Sequence, residues 1–147
     1  MLWRGRKLCG ILIELTGDAL GPTAAVIGIG LNVRLSDATR ARIDQPVTDL
    51  EAACGAAPGR NELLALVLIE LAGVLETFSR EGFAPLRAEW QRLHAHQERR
   101  VTLLLPDGVR VTGRARGVAE DGSFLLETRS GVKRHHSGEI SLRPQKP

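Results

Sequence analysis

Two apolar segments, each interrupted by glycines, most constrain what the amino-terminal part of this chain can fold into. Residues 8–15 and 24–33 are short and partly β-branched, which predicts two strands that are buried on at least one face. Residues 16–22, with the sequence TGDALGP, are rich in turn formers and favour an antiparallel connection. We therefore expect a hairpin, and its glycines mark places where another group can approach the backbone closely.

The next segment combines an irregular stretch with a helix start. Residues 35–46 have no clear period and are expected to form a loop. Thr48 and Glu51 stand three apart and fit a capping box, in which a hydroxyl and a carboxylate satisfy free amides at the start of a helix. The pattern predicts a short helix that ends near Gly55.

A longer helical pattern follows, in which apolar residues recur at three- and four-residue steps to about residue 81. Asn61 is the expected cap, and Gly82 is expected to end the helix in the left-handed conformation. A further helix is expected over residues 85–93. The apolar stripe of the long helix comprises Leu64, Val67, Leu68, Leu71, Val74, Leu75 and Phe78.

From residue 101 onward the pattern changes to a period of two, with Asp-Gly or Ser-Gly turns at short intervals. Five short strands at this spacing suggest a small barrel of the SH3 type, so the fold class is α+β. The polar stretch before it is the expected boundary between domains at residues 1–97 and 98–147. The predicted strands cover residues 101–105, 109–118, 123–128, 132–136 and 139–142.

Composition limits the classes of function. The 147 residues are 43% hydrophobic and 25% charged, which is typical of a globular protein, and the formal net charge of +3 is too small to indicate nucleic acid by itself. Cys9 and Cys54 match no metal-ligand spacing, and Cys9 is expected to be a buried free thiol. Because the sequence has no apolar run long enough for a membrane span and no secretory signal, we expect a cytoplasmic protein.

Lys7 stands at the mouth of the first apolar strand, between Gly5 and Gly10. One interpretation is a strand-end lysine whose ammonium group reaches water. The other is a cation held where glycines let a carboxylate or phosphate approach, so that it stabilises charge in acyl activation. Spacing alone does not separate the two.

The second apolar strand carries Gly28, Gly30 and Asn32. It lacks the third glycine and the following helix of a dinucleotide site, which argues against a Rossmann fold. Asn32 would either close a local turn or present its amide to a polar ligand group.

The histidines give little indication of a metal site. His135 and His136 are adjacent, so in a strand they point to opposite faces, and His94 and His96 share a face only if that segment is extended. Glu139 and Arg143 would share one face of a strand, where such a pair is ordinarily a surface ion pair.

Taken together, these segments resemble the carboxy-terminal portion of the biotin protein ligases, the bifunctional biotin ligase and repressor family. The matches follow in order, with approximately the family's spacing, along essentially the whole chain. They are RKLCGILIELTG at residues 6–17, VIGIGLNV at 26–33, EGFAPL at 81–86 with Trp90, and GEISLR at 138–143.

The resemblance implies a fold and an activity. The fold is part of a class-II-synthetase-like catalytic domain, a mixed sheet with helices over residues 1–97, followed by an SH3-like barrel over residues 98–147. The family activates biotin with ATP and Mg²⁺ to biotinyl-5′-AMP and transfers biotin to a lysine of a carrier such as the biotin carboxyl carrier protein of acetyl-CoA carboxylase. A homodimer through the sheet edge is also implied.

The resemblance also assigns residues. Lys7 matches the family's lysine beside the biotin carboxylate and the bridging phosphate, which makes it the expected catalytic residue. Asn32 matches a nucleotide-contacting asparagine, and Glu139 and Arg143 match residues that reach back towards ATP. The expected walls of the biotin pocket are Gly10, Leu12, Gly28 and Ile29.

Two family features do not occur in this sequence: the Gly/Arg-rich biotin loop and a Lys-Trp-Pro-Asn-Asp string before the lysine strand. We therefore expect these residues alone to ligate biotin poorly or not at all, as a chain that starts just after that string would. No segment predicts a recognition helix, so no DNA-binding domain is expected.

Two other functions stay open. One is a non-catalytic interaction module. The other is a small basic barrel that binds nucleic acid, suggested by Arg110, Arg114 and Arg116, which alternate along one strand but lack aromatic partners for bases.

Overall fold

The computed structural model describes residues 1–17, 24–105 and 107–136, together with the backbone of residues 141–144. It divides into two compact units, Met1–Val67 and Leu68–Pro147. The mixture of helices and antiparallel strands confirms the α+β class. Among the helices that it describes, none is long and apolar enough to cross a membrane.

The described part of the first unit has two antiparallel hairpins. The predicted pairing of the two apolar segments is confirmed, with Ile11 opposite Ile29 and Gly10 opposite Gly30. The connecting residues 18–23 lie outside the described residues. The strands are β1 Leu2–Trp3, β2 Arg6–Lys7, β3 Cys9–Thr16 and β4 Ala24–Leu31.

The prediction that β3 and β4 are buried on one face is wrong. Of their described residues only Cys9 is buried, as the expected free thiol. Leu12 and Ile13 point to opposite faces and are 63% and 58% exposed. The reason is that no described helix of this unit packs extensively across the two-stranded sheet.

Two short helices follow β4, α1 Asp37–Ala41 and α2 Leu50–Cys54. The loop predicted over residues 35–46 is therefore wrong in part, because the Ser36 hydroxyl accepts a hydrogen bond from Thr39 N and caps α1. The cap of α2 is Asp49 rather than Thr48. Gly55 ends α2 at φ 85°, as expected.

The long helix α3 runs over Arg60–Glu81, and α4 over Ala84–Leu93. Asn61 is not the cap, since it lies inside the first turn, where Gly59 O accepts from Leu63 N at 2.9 Å. Gly82 stops the helix at φ 70°, as expected. Most of the predicted apolar stripe is exposed and none of it is fully buried.

The second unit contains a five-stranded antiparallel sheet in the order β8-β7-β6-β5-β9. The first four predicted strands are confirmed to within a residue or two; of the last, residues 141–142 are strand and residues 139–140 lie outside the described residues. The core consists of Val101, Leu103, Ala115, Phe124 and Leu126. The strands are β5 Arg100–Leu104, β6 Arg110–Val118, β7 Phe124–Thr128, β8 Gly131–His135 and β9 Ser141–Pro144.

Helix α4 packs against the bulged end of β6. Arg87 Nε donates to Val118 O at 2.9 Å. His94, just after α4, stacks on Trp90 with ring centroids 4.6 Å apart and meets the buried ring of Phe124 edge-on at 5.7 Å. Gly117, at φ 85° in the bulge, has no side chain and so leaves room for the Gln91 side chain of α4.

Strands β6 and β7 approach so closely that a side chain at Gly113 has no room. A Cβ atom there would lie 2.4 Å from Glu127 O. We expect Gly113→Ala to lower the free energy of unfolding by roughly 1–3 kcal/mol, because backbone must move. Urea unfolding followed by circular dichroism measures this change.

The matched control is Gly73→Ala. A Cβ atom at Gly73, inside α3, meets nothing within 4 Å, so this variant should be neutral or gain up to about 1 kcal/mol. Equal stability of Gly113→Ala and the parent chain would contradict the close approach.

Candidate ligand-binding site

The position of Lys7 is fixed by its backbone. It belongs to the β1–β2 hairpin, whose turn residues Arg4 and Gly5 have φ 48° and 77°, as a two-residue hairpin turn requires. Lys7 N donates to Pro46 O at 2.8 Å, and Thr48 N donates to Lys7 O at 2.9 Å. The segment before α2 therefore pairs with Lys7 as a parallel β-bridge, and both hydrogen bonds lie on one edge of the lysine strand.

The Lys7 side chain lies beside a face of the β3–β4 hairpin that is rich in glycine. Gly10 pairs with Gly30 and Leu12 pairs with Gly28, so these four residues share one face of the hairpin. A Cβ atom added at Gly10 would lie 4.0 Å from Lys7 Cε. Within the described residues, Lys7 is in no ion pair. We call Gly10, Gly28 and Gly30 the glycine floor; with Lys7 at its edge it offers accessible backbone beside an unneutralised cation.

Ile29 lies on the opposite face from the glycine floor. Its partner across the hairpin is Ile11, and the two residues alternate with Gly28 and Gly10 along their strands. The structure thus brings together Lys7, Gly10, Leu12 and Gly28 of the predicted biotin-site residues. Ile29 can border that surface through its backbone.

Asn32 joins three segments of the first unit. Its backbone N–H donates to Leu8 O at 3.0 Å, and its carbonyl accepts from Leu50 N at 2.9 Å. Its side-chain Nδ2 donates to Thr48 O at 3.0 Å and to Lys7 O at 3.4 Å. Of the two interpretations from the sequence, the observed contacts are with the chain itself, and they bring Asn32 next to Lys7.

Asp49 is a buried carboxylate that stabilises the segment next to Lys7 and Asn32. It is 1% exposed, and its carboxylate accepts from Ala52 N at 2.9 Å and Leu35 N at 2.7 Å, with Arg40 at 2.5 Å. Burial raises the pKa of Asp49, but the two backbone hydrogen bonds and Arg40 together outweigh it and hold the pKa below its ordinary value. The carboxylate therefore stays charged and ties α1 to the start of α2.

The other two predicted site residues have no described side chain. Glu139 lies outside the described residues, and for Arg143 of β9 the structure gives the backbone, which pairs with Thr102 of β5. Among the described side chains, no group of three or more His, Cys, Asp or Glu residues is placed to hold a metal ion.

Sequence reasoning did not assign Gly30, Thr48 or Asp49 to the site. Gly30 carried a signal, since its even spacing from Gly28 puts both on one strand face. Thr48 and Asp49 carried none, because the contacts of Thr48 with Lys7 and Asn32, and of Asp49 with Leu35 and Arg40, join positions that are separated in the sequence.

Comparisons with known proteins show which proteins this chain is similar to. Residues 96–143 match the family described as "Biotin protein ligase C terminal domain". The resemblance predicted from the sequence is confirmed: the chain is similar, over nearly its whole length, to the carboxy-terminal portion of biotin protein ligases.

Individual relatives give the same result. The bifunctional ligase/repressor BirA of Escherichia coli K12 is 38% identical over 138 residues, which is 94% of this chain and 42% of that protein. BirA of Bacillus subtilis is 26% identical over 143 residues, or 97% of this chain and 44% of that protein. This chain therefore spans less than half the length of these relatives.

Solved structures agree in fold. The apo biotin protein ligase from Aquifex aeolicus has a TM-score of 0.84 at 29% identity, over 97% of this chain and 61% of that one. The same ligase in complex with biotin and ATP has a TM-score of 0.80 at 27% identity, over 97% and 58%.

The buried carboxylate generates a test of the site's framework. We expect Asp49→Asn to lower the free energy of unfolding by roughly 1–3 kcal/mol at pH 7, because it removes the charge that Arg40 and two amides share. Since the folded pKa is depressed, the stabilisation is complete above the unfolded pKa near 4 and is lost as pH falls through the folded pKa.

Urea unfolding between pH 7 and pH 2 measures both effects. The parent chain should lose stability below about pH 4, and Asp49→Asn should lose less over the same range. Asp44→Asn, at an exposed carboxylate, serves as the control and should behave as the parent. Parallel pH profiles for the parent and Asp49→Asn would contradict the assignment.

Proposed function

We propose that this chain forms the carboxy-terminal part of a biotin–carrier ligase. In this reaction biotin and ATP give biotinyl-5′-AMP and pyrophosphate; the amine of a carrier-protein lysine then attacks the acyl carbon, forms an amide with biotin and releases AMP. The chain's similarity to the biotin protein ligases, one of them solved with biotin and ATP, supports the proposal. Mg²⁺ would enter with ATP, and the reaction would be cytoplasmic.

The observation that carries the proposal is the cation held beside the glycine floor. Lys7 is fixed by Pro46 and Thr48 through its backbone, while its ammonium group remains available within the described residues. A lysine is a compact point charge, and it can hold the biotin carboxylate and the α-phosphate of ATP together as the acyl–phosphate bond forms. It also stabilises negative charge at the phosphorus under attack.

The other residues have supporting roles in this proposal. Gly10, Leu12 and Gly28 would wall the biotin ring, and Ile29 would contribute backbone. Asn32, whose amide nitrogen binds Lys7 O and Thr48 O, would act by positioning the lysine strand beside the nucleotide. Glu139 and Arg143 would reach ATP, as the resemblance implies.

The domain plan and the partners belong to the same proposal. Residues 1–97 would form part of a class-II-synthetase-like catalytic domain and residues 98–147 an SH3-like barrel. The carrier would be the biotin carboxyl carrier protein of acetyl-CoA carboxylase. The exposed apolar side chains of β3 and β4 favour, as a second candidate, association through this hairpin, including a homodimer at its edge.

Calorimetry with biotinyl-5′-AMP tests the role of Lys7. We expect the parent chain to bind it and Lys7→Ala to lose at least about tenfold in affinity, or about 1.4 kcal/mol, because a charged contact disappears. Lys7→Arg should recover part of the loss, since it keeps the charge but not the compact ammonium group.

The matched control is Arg42→Ala, which also removes one exposed positive charge from the first unit. It should bind as the parent does. Absence of binding by the parent, or equal affinity of the Lys7→Ala and Arg42→Ala variants, would refute the proposed site.

Transfer activity is a separate question. We propose that these 147 residues alone transfer biotin to a carrier domain poorly or not at all, because the Gly/Arg-rich loop of the family is not among them. A time course of carrier biotinylation with ATP and Mg²⁺, run beside the E. coli ligase, measures this. Comparable turnover by the two proteins would overturn the expectation.

A further inference from the structure

A basic cavity lies on the sheet of the second unit, and nothing in the proposed ligase site uses it. Its volume is about 680 Å³, within the roughly 300–1,000 Å³ of small-molecule pockets. Among the described residues that line it are four cations, Arg100, Arg114, Arg129 and Lys133, and one carboxylate, Glu127.

Two of these cations are placed against each other. Arg100 of β5 stands directly opposite Arg114 of β6 in the strand register. Like charges in directly opposed cross-strand positions destabilise a sheet. Arg114 also stands opposite Glu127 of β7 and lies 3.9 Å from Glu98, but Arg116 binds both of these carboxylates more closely.

The carboxylate of the cavity is already engaged. Glu127 Oε2 lies 2.9 Å from Arg116 Nη2 and accepts a hydrogen bond from Arg116 Nε at 3.1 Å. Arg129 and Lys133 are in no ion pair or side-chain hydrogen bond among the described residues. Arg129 and Lys133 therefore bring positive charge to the cavity that the described residues do not neutralise.

Hydroxyl groups complete the lining. Thr112 contributes one from β6, and Thr128 and Ser130 contribute two from the β7–β8 turn. Their contacts are with each other or with neighbouring backbone, as in Thr128 Oγ1 to Gly131 O at 3.0 Å, and with Thr102 across the strands. Such groups add neutral donors beside the guanidinium groups.

We propose that this cavity binds a phosphate-bearing small molecule. Arginine side chains match phosphate oxygens in a two-pronged geometry, and Arg129 with Lys133 alone already exceeds the charge of a singly charged carboxylate. No aromatic side chain is among the described lining residues, so the cavity lacks the stacking surface that single-stranded nucleic acid uses.

Pyrophosphate is the probe, titrated into the full chain at low ionic strength and followed by amide NMR shifts and by calorimetry. We expect the shifts to centre on residues 111–114 and 127–133. Inorganic phosphate should bind more weakly because it carries less charge. Citrate should also bind more weakly, because its carboxylates are planar and spread along a carbon chain, whereas the phosphate oxygens are tetrahedral and close together.

The test variant is the double substitution Arg129→Glu and Lys133→Glu, which should reduce pyrophosphate affinity at least about tenfold. Its matched control is Arg42→Glu with Arg60→Glu, which changes the net charge equally at exposed positions that do not line the cavity. Lys133→Ala alone should give a smaller loss, and circular dichroism checks the fold of every variant.

Three results would overturn the proposal: equal losses in the test and control variants, shifts centred on the Lys7 hairpin instead, or an oligonucleotide that binds the same residues more tightly than pyrophosphate. Lys7→Ala should leave the cavity shifts unchanged. The outcome therefore does not depend on whether the ligase proposal holds.

Discussion

The hydrogen bonds that join Lys7 to the segment before α2 hold the candidate site together. Lys7 donates to Pro46 and accepts from Thr48, and Asn32 binds both sides of that junction. Asp49 then fixes the end of the segment through backbone amides and Arg40. Because these contacts occupy backbone and amide groups, they fix the lysine strand without engaging the Lys7 ammonium, which is in no ion pair among the residues that the structure describes.

Local patterns predicted most of the secondary structure. The β3–β4 hairpin, the left-handed stops at Gly55 and Gly82, and the strands of the second unit follow from turn residues and period-two patterning. The predictions that are wrong concern competition between neighbours. Asp49 caps α2 instead of Thr48, since its carboxylate accepts from Ala52 N, while Thr48 N donates to Lys7 O and the Glu51 carboxylate binds Arg34.

The candidate site was predictable only in part, because register is local and contact is not. Alternation along β3 and β4 puts Gly10, Leu12 and Gly28 on one face and Ile29 on the other. Nothing in the sequence indicated that the segment at residues 46–48 would pair with the backbone of Lys7. Burial was also beyond local pattern, since an apolar strand or stripe becomes core only where another element covers it.

The pairing of Lys7 with residues 46–48 bears on the order in which the first unit folds. Both hairpins of the first unit are local in sequence, whereas the Lys7–Thr48 hydrogen bond closes a long loop and carries a larger entropic cost. The hairpins can therefore form while the lysine strand is still unanchored. The cation reaches its place beside the glycine floor only when this loop closes, so we expect assembly of the site to follow formation of the hairpins.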